Sequence, residues 1–290
     1  MIWCNSKTDS TVWMREAFTG NCKSIILYTV FMVYFAPGFL QEKERFKMSE
    51  TINKFMGAME SEVGFVIAVV VFVTFLFAIS IFAQKKIVIE HTKTQKLTLT
   101  GIFAAIAAIL MYVEIPLFFV PDFYKLDFSE IPVLIASFMM GPVAGVATEF
   151  LKIIIKLIIK PTSTAFVGEF ANFMMGCSFI IPASIIYWKK KTRKHAVAGM
   201  AVGTAVMTFV GCFMNAFILL PAYAYIYGGI PVSVLIDKGS VVNPAISNMT
   251  TFILLAVSPL NIIKGALVSI LVFLIYKPIT RGIKAITKNR

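Results

Sequence analysis

The chain has 290 residues, of which 58% are hydrophobic and only 14% are charged, and its mean hydropathy is +0.84. Soluble domains average about 45–50% apolar and about 25% charged residues. The excess of apolar residues lies in long uncharged runs, which are typical of membrane-spanning helices. The net charge of +12 comes largely from short basic segments between these runs. This pattern indicates orientation in a lipid bilayer and argues against a nucleic-acid partner.

The apolar runs predict an all-α integral membrane protein. A helix rises 1.5 Å per residue, so about 20 apolar residues cross a hydrocarbon core of about 30 Å. One predicted span precedes residue 96 and six follow it: Val63–Ala83, then Leu97–Val120, Ile131–Thr148 (broken at Gly141-Pro142), Val143–Ile159, Phe166–Trp188, Ala196–Tyr225 and Pro259–Tyr276. We therefore expect a six-helix unit with one extra N-terminal transmembrane helix.

The distribution of basic residues predicts the orientation of this unit. The segments Gln84–Lys96, Lys189–Lys194 and 277–290 together hold 14 Lys or Arg and one acid. In contrast, Pro121–Glu130 holds three acids and one lysine. By the positive-inside rule the basic segments are cytoplasmic, and six spans with both ends inside satisfy every loop.

The first 47 residues fit this arrangement poorly. Ile25–Phe39 is short for a span and contains Pro37, and a crossing there would place a basic segment outside. We expect residues 1–47 to be a dispensable extension; a signal-like segment and an interfacial helix are the alternatives.

The remaining predicted units are an extra helix with a basic linker (48–95), a six-helix substrate-binding domain (96–280) and a basic cytoplasmic tail (281–290).

The sequence lacks the motifs of an enzyme or of an ATP-driven motor. It contains no phosphate-binding loop, no dinucleotide fingerprint, no H-E-x-x-H and no G-x-S-x-G. Neither the four cysteines nor the two histidines have the spacing of a metal site. Intramembrane acids are few, namely Glu114, Glu149 and Glu169, so a proton-coupled carrier is disfavoured. We predict a binding subunit without enzymatic activity, metal or cofactor.

Five short strings occur in the order found in one family of vitamin importers. They are Leu126–Pro132 (LDFSEIP), Gly141–Lys152 (GPVAGVATEFLK), Gly168–Phe173 (GEFANF), Asn215–Pro221 (NAFILLP), and Asn243-Pro244 followed by Pro259–Gly265 (PLNIIKG). Over residues 95–280 the chain thus resembles the riboflavin-specific substrate-binding (S) components of energy-coupling factor (ECF) transporters. It departs from their pattern at Leu260, where Phe is common, and in the span before residue 84.

This resemblance implies the S-component fold and a transport function. It implies capture of riboflavin from outside the cell, with a transmembrane coupling protein and two ABC ATPase subunits as partners in the plasma membrane. Riboflavin would be the transported ligand rather than a cofactor. An S component for another vitamin, such as thiamine or biotin, is the first alternative. An intramembrane enzyme and a stand-alone secondary carrier are alternatives from other classes.

Three polar residues on the last two predicted spans form the first candidate site. Ser258-Pro259 is a helix-start signal, since Ser is a favoured N-cap and Pro suits the first helical turn. A helix starting there places Asn261 and Lys264 on one face, near the outer end. Asn215 lies in the outer half of the preceding span. Amide and ammonium groups suit the polar edge of a flavin, although Lys264 could instead extend to the lipid headgroups.

Two further segments supply the remaining candidate ligand residues. The first is the Tyr124–Glu130 loop, with Lys125, Asp127 and Ser129, which the resemblance places over the ligand; Asp127 could instead cap the next helix. The second is the segment with Thr164, Glu169 and Asn172. Hydrogen bonding between helices explains the last two equally well.

Small residues in the Leu97–Val120 span suggest a contact with another helix. Ala104 and Ala108 are separated by four residues, and small side chains allow close approach of helices in lipid. The resemblance implies that such an A-x-x-x-A surface docks the coupling protein. Packing within the six-helix unit is the alternative.

Overall fold

The computed structural model describes residues 62–85, 92–121, 123–162 and 164–288. The predictions for residues 1–47 lie outside these ranges. The chain divides into two compact units, residues 1–68 and 69–290. Of the first unit only the N-terminal turns of one helix, from Glu62 onward, are described. The fold below is that of the second unit.

The described part of the chain is almost entirely helical. Its elements are α1 (Glu62–Gln84), α2 (Lys93–Tyr112), β1 (Ile115–Pro116), β2 (Lys125–Leu126), α3 (Glu130–Met140), α4 (Pro142–Ile159), α5 (Val167–Lys190), α6 (Arg193–Met214), a π-helix (Asn215–Leu219), α7 (Leu220–Ile226), α8 (Val232–Val242), α9 (Met249–Phe252), a second π-helix (Ile253–Val257) and α10 (Ser258–Lys288). The two short strands pair antiparallel, with Ile115 opposite Leu126.

Among the described residues, four helical stretches are long and apolar enough to cross a membrane. These are Lys93–Tyr112, Val167–Lys190, Arg193–Ile226 and Met249–Tyr276. Val71–Gln84 and Glu130–Met140 are shorter apolar helices. The helical, membrane-spanning character predicted from composition is therefore confirmed, while the count of six spans plus one stays a prediction.

The predicted second span is shorter than its apolar run. Helix α2 ends at Tyr112, and the apolar residues up to Val120 form the β1–β2 hairpin and its loop. Pro116 explains the difference, because in a continued helix its ring would clash with the carbonyl of Tyr112, four residues earlier. The break at Gly141-Pro142 is confirmed: Gly141 has a φ of 92°, which ends α3, and Pro142 begins α4.

The predicted helix start at Ser258 is wrong. The helix begins at Met249, where Asn248 accepts a hydrogen bond from the Thr251 N–H at 2.9 Å, and continues through the second π-helix into α10. Each π-helix ends two residues before a proline, Pro221 or Pro259. A proline inside an α-helix clashes with the carbonyl four residues earlier, and a wider turn relieves that clash.

Helices α5 and α6 approach each other closely along two glycines of α6. A Cβ placed on Gly199 would lie 2.6 Å from the Ala183 carbonyl oxygen, and one on Gly203 would lie 2.5 Å from that of Phe179. No side chain fits there, so the backbones are in direct contact. Such small-residue contacts are a usual way to pack helices in lipid.

We expect Gly203→Ala to destabilise the fold and Gly101→Ala not to. An added methyl at Gly203 must displace backbone, and overpacking costs about 1–3 kcal/mol. At Gly101 in α2 there is no atom within 4 Å, so the higher helix propensity of Ala can only help, by up to about 1 kcal/mol.

Thermal unfolding of both variants in detergent checks this prediction. Equal unfolding temperatures for Gly203→Ala and Gly101→Ala would contradict the close packing of α5 on α6.

Candidate ligand-binding site

The buried polar residues of α6 and α10 lie where two hydrophobic clusters meet. One cluster includes Met207 on α6 and Val268 on α10. The other includes Leu220, which follows the first π-helix, and Leu260 at the start of α10. Between these positions the chain buries Asn215, Asn261 and Lys264. Buried polar groups require partners, so their hydrogen bonds define the site.

The structure brings Asn215 and Asn261 together around Gly211. The Asn215 amide donates to the Gly211 carbonyl at 2.8 Å, and a Cβ on Gly211 would lie 2.6 Å from Nδ2 of Asn261. The Asn261 amide donates to the Val257 carbonyl at 2.9 Å. Oδ1 of Asn215 accepts a hydrogen bond from the Tyr124 hydroxyl. Each amide can form further hydrogen bonds, so the pair offers donors and acceptors to a ligand.

Lys264 lies inside the protein and is only 8% exposed. Its ammonium group lies 3.0 Å from Oδ2 of Asp127 and 3.9 Å from Oε1 of Glu130. The alternative that Lys264 extends to the lipid headgroups is therefore wrong. A buried ammonium needs a carboxylate partner, and the loop before α3 supplies it.

Asp127 bonds Ser129, the residue before α3, and Lys264 on α10, while a direct contact with a ligand stays a prediction. Its Oδ1 accepts hydrogen bonds from the Ser129 N–H, at 2.9 Å, and from the Ser129 hydroxyl, which fixes the loop at the start of α3. Its Oδ2 pairs with Lys264. Burial alone would raise the pKa of this carboxyl, but the positive charges of Lys264 and Lys152 lower the pKa to about 2. Asp127 is therefore ionised at neutral pH and holds the loop against α10.

Three residues that the sequence did not assign to the site continue this network into the core. Lys152 on α4 lies 2.6 Å from Glu149 and 3.1 Å from Glu130, and it donates to the Ser129 hydroxyl at 3.1 Å. In the sequence, Lys152 stands out only as the last residue of the string Gly141–Lys152. The i, i+3 spacing of Glu149 and Lys152 was a usable signal, because it places the two charges on one helix face.

A second polar group lies where α4 ends and α5 begins. Glu169 accepts hydrogen bonds from Lys156, from the Thr162 hydroxyl at 2.9 Å and from the Thr164 hydroxyl at 3.3 Å. The turn before α5 contains two left-handed non-glycine residues, Ala165 and Phe166, which are strained and are held by these threonines. Thr164 and Glu169 thus belong to one group, separate from the contacts of Lys264.

Two predicted ligand residues make local contacts instead. The Asn172 amide donates to the Gly168 carbonyl of its own helix at 3.2 Å. Lys125, whose side chain is 45% exposed, pairs with Glu114 across the base of the hairpin at 2.5 Å. Neither residue joins the contacts of Lys264.

Ala104 and Ala108 on α2 are fully covered by the chain itself. Helix α2 packs on α3 and α4. This burial favours the internal-packing alternative for the two side chains. The small residues that α2 leaves open are Ala105, one position after Ala104, and Gly101, three positions before it.

The fold defines a class: a helical membrane protein with buried polar side chains between its helices. The sequence model described as "ECF transporter, substrate-specific component" matches residues 95–276. The chain belongs to this family. Members of the family are transport components, so the prediction that the protein is not an enzyme is confirmed.

Curated relatives have riboflavin transport in their names. The chain is 32% identical to the riboflavin transporter RibU of Staphylococcus aureus (strain TCH60), over 70% of this chain and 98% of that protein. It is 31% identical to the riboflavin transporter FmnP of Bacillus subtilis (strain 168), over 63% of this chain and 91% of that protein. In both names riboflavin is the transported substrate of the relative.

A solved structure has a similar fold. It is described as the S component of a bacterial ECF transporter, and it is 31% identical to this chain with a TM-score of 0.52. The match covers 67% of this chain and 99% of that structure. The S-component fold predicted from the five strings is therefore confirmed.

We expect Lys264→Met to destabilise the protein by about 3–5 kcal/mol, because it leaves buried carboxylates without their ammonium partner. The double variant Asp127→Asn with Lys264→Met removes both charges and should recover part of that loss. Lys125→Met is the control, since an exposed pair contributes about 0–1 kcal/mol.

A double-mutant cycle by thermal unfolding of the ligand-free protein measures this coupling. Additive effects of the Asp127 and Lys264 substitutions would contradict the pairing that we describe.

Proposed function

We propose that this chain is a riboflavin-specific S component, which captures riboflavin from outside the cell and delivers it inward. One observation carries this proposal: Asn215, Asn261 and Lys264 are buried in the same region. The loop before α3, the C-terminal end of α6 and the start of α10 meet there. Membership of the S-component family and the names of the curated relatives support the choice of vitamin.

The chemistry of riboflavin fits these three residues. The isoalloxazine ring has a large apolar face and a polar pyrimidine edge with carbonyl acceptors and one N–H. Amides of Asn215 and Asn261 can both donate and accept, and Lys264 can donate three hydrogen bonds. Such a combination of an apolar pocket with a few placed polar groups is usual for small-molecule sites.

Aromatic side chains next to the polar group are suited to the flavin ring. Tyr124, which contacts Asn215, lies with its ring centre 4.7 Å from that of Phe123 and 6.1 Å from that of Phe252. Phe123 also contacts Tyr223. We propose that the ring binds against this aromatic group with its pyrimidine edge toward Lys264.

The other candidate residues have supporting roles in the proposal. Asp127 and Ser129 fix the position of Lys264, and Thr164 and Glu169 line the ribityl side of the pocket. Direct ligand contacts of Asn172 and Lys125 stay predictions, and the contacts that the structure shows for both residues are local.

The membrane arrangement and the energy source complete the proposal. We propose six transmembrane helices after residue 96 and one before it, with the basic segments in the cytoplasm of a plasma-membrane protein. Transport would be driven by a coupling protein and two ABC ATPase subunits, since the chain has no phosphate-binding loop of its own.

Riboflavin binding should depend on Lys264 and Asn261. Loss of a hydrogen bond from a charged group costs about 1.5–3 kcal/mol, which corresponds to roughly 10–100-fold weaker binding for Lys264→Ala. Asn261→Ala removes a neutral hydrogen bond and should weaken binding about tenfold. Titration of the purified protein with riboflavin, followed by quenching of flavin fluorescence, measures both effects.

Lys194→Ala is the matched control, because Lys194 is an exposed lysine in the first turn of α6. Unchanged affinity in Lys264→Ala, with wild-type affinity in the control, would remove Lys264 from the site. A wild-type protein that does not quench riboflavin fluorescence would overturn the proposed ligand.

We also propose that the coupling protein contacts the open face of α2 around Gly101 and Ala105. Gly101 has open space at its Cβ position, and Ile102 and Ile109 are exposed on the same helix. Small residues on an open apolar face allow close approach of another transmembrane helix.

Paired tryptophan variants of α2 test the docking face. Gly101→Trp with Ala105→Trp should retain riboflavin binding but no longer co-purify with the coupling protein. Ala104→Trp with Ala108→Trp should lose both properties, because neither buried position has room for an indole ring. Retained co-purification of the Gly101/Ala105 variant would contradict the proposed face.

A further inference from the structure

Five charged side chains lie together in the core, and their charges do not balance. We call them the buried charge cluster: Asp127, Glu130, Glu149, Lys152 and Lys264. Three of the five are carboxyl groups and two are ammonium groups. If every group were ionised, the cluster would carry one net negative charge. An uncompensated charge in a protein interior is strongly unfavourable, so the cluster needs one more positive charge.

The ion pairs show where the excess negative charge lies. Lys264 pairs with Asp127 at 3.0 Å, and its distance to Glu130 is longer, at 3.9 Å. Lys152 is shared by Glu149, at 2.6 Å, and Glu130, at 3.1 Å. Asp127 thus has an ammonium partner of its own, whereas Glu130 and Glu149 compete for Lys152.

The oxygens of these two glutamates face the same small space beside α5. A Cβ placed on Gly176 would lie 2.4 Å from Oε1 of Glu149 and 2.9 Å from Oε2 of Glu130. Within the described residues, Oε2 of Glu130 and Oε2 of Glu149 accept no hydrogen bond and are shielded from solvent. Two carboxylates held side by side repel each other, and such pairs commonly keep one proton.

We propose that Glu130 and Glu149 form a proton-binding site and share one proton at neutral pH. With that proton the buried charge cluster consists of two ion pairs and one neutral carboxylic acid. The protonated carboxyl donates a hydrogen bond, which satisfies an oxygen that otherwise has no donor. Gly176 is the residue that leaves room for the pair, because any larger side chain would occupy the space between the carboxyl groups.

The surrounding groups favour a proton over a metal ion. The buried charge cluster is built from the loop before α3 and from three helices: α3 supplies Glu130, α4 supplies Glu149 and Lys152, and α10 supplies Lys264. On the side of α5, the cluster faces Gly176 and the buried thiol of Cys177. Among the described residues, no group of three or more His, Cys, Asp or Glu has metal-site geometry. Two nearby ammonium groups would also repel a metal cation.

The shared proton links folding to pH in a definite direction. The folded protein holds a proton that a solvated glutamate releases at neutral pH. The shared proton therefore contributes its full stabilisation below about pH 4, where a solvated glutamate is also protonated, and this contribution falls as the pH rises toward the point at which the shared proton leaves. Glu149→Gln replaces the shared acid with a neutral amide of the same shape, so the variant should lack this decline between about pH 4 and the release point of the shared proton.

Infrared difference spectroscopy detects the proton directly in the full-length protein. An un-ionised carboxylic acid has a carbonyl stretching band that a carboxylate lacks, and this band shifts in deuterium oxide. We expect the band at neutral pH in the wild-type protein and its loss in Glu149→Gln and in Glu130→Gln, since either change leaves the remaining glutamate ionised beside Lys152. Glu169→Gln is the matched control, because Glu169 pairs with Lys156 outside the cluster, and it should keep the band.

Two results would overturn the proposal. One is the absence of a protonated carboxyl band in the wild-type protein at neutral pH, which requires no variant to fold. The other is a band that survives both glutamine substitutions, which would assign the proton to another carboxyl group. The measurement does not involve riboflavin, so its outcome is independent of the proposed ligand.

Discussion

A lysine ammonium group cannot remain in a low-dielectric interior without a negative partner, and this constraint organises the protein around Lys264 and Lys152. Lys264 on α10 requires Asp127, which draws the loop before α3 against the last helix. Lys152 on α4 requires Glu130 and Glu149, which joins α3 to α4. Since Ser129 bonds both Asp127 and Lys152, one polar network holds the loop, α3, α4 and α10 in place. The proposed ligand site is one end of this network.

The two π-helices place the amides at the same site. Asn215 begins the first π-helix, and Asn261 follows the second by one turn. In each π-helix a backbone N–H donates to the carbonyl five residues earlier. Leu220 donates to the Asn215 carbonyl in the first, and Ser258 donates to the Ile253 carbonyl in the second. Single wide turns of this kind often occur at functional sites. Here they accommodate Pro221 and Pro259 and leave polar side chains on the inner face of otherwise apolar helices.

The sequence predicted the helical membrane fold, the break at Gly141-Pro142 and the burial of Asn215, Asn261 and Lys264 together. These features depend on local composition or on helix spacing, which a single sequence shows directly. It did not predict the end of α2 at Tyr112, the helix start at Met249 or the π-helices, because apolar runs do not show where a helix ends or widens. The pairing of Lys264 with Asp127 joins residues 137 positions apart and depends on tertiary packing. The sequence shows the spacing of Ala104 and Ala108. It does not show which face of α2 is covered by the rest of the chain.

The central claim is that the polar site between the loop, α6 and α10 holds riboflavin. The most direct test is to purify the protein in detergent from cells grown in rich medium, extract the bound small molecules and identify them by mass spectrometry, together with a visible absorbance spectrum. A yellow preparation that releases riboflavin in near-stoichiometric amount is the predicted result. A colourless preparation that releases a different vitamin would contradict the claim and leave the S-component family as the surviving assignment.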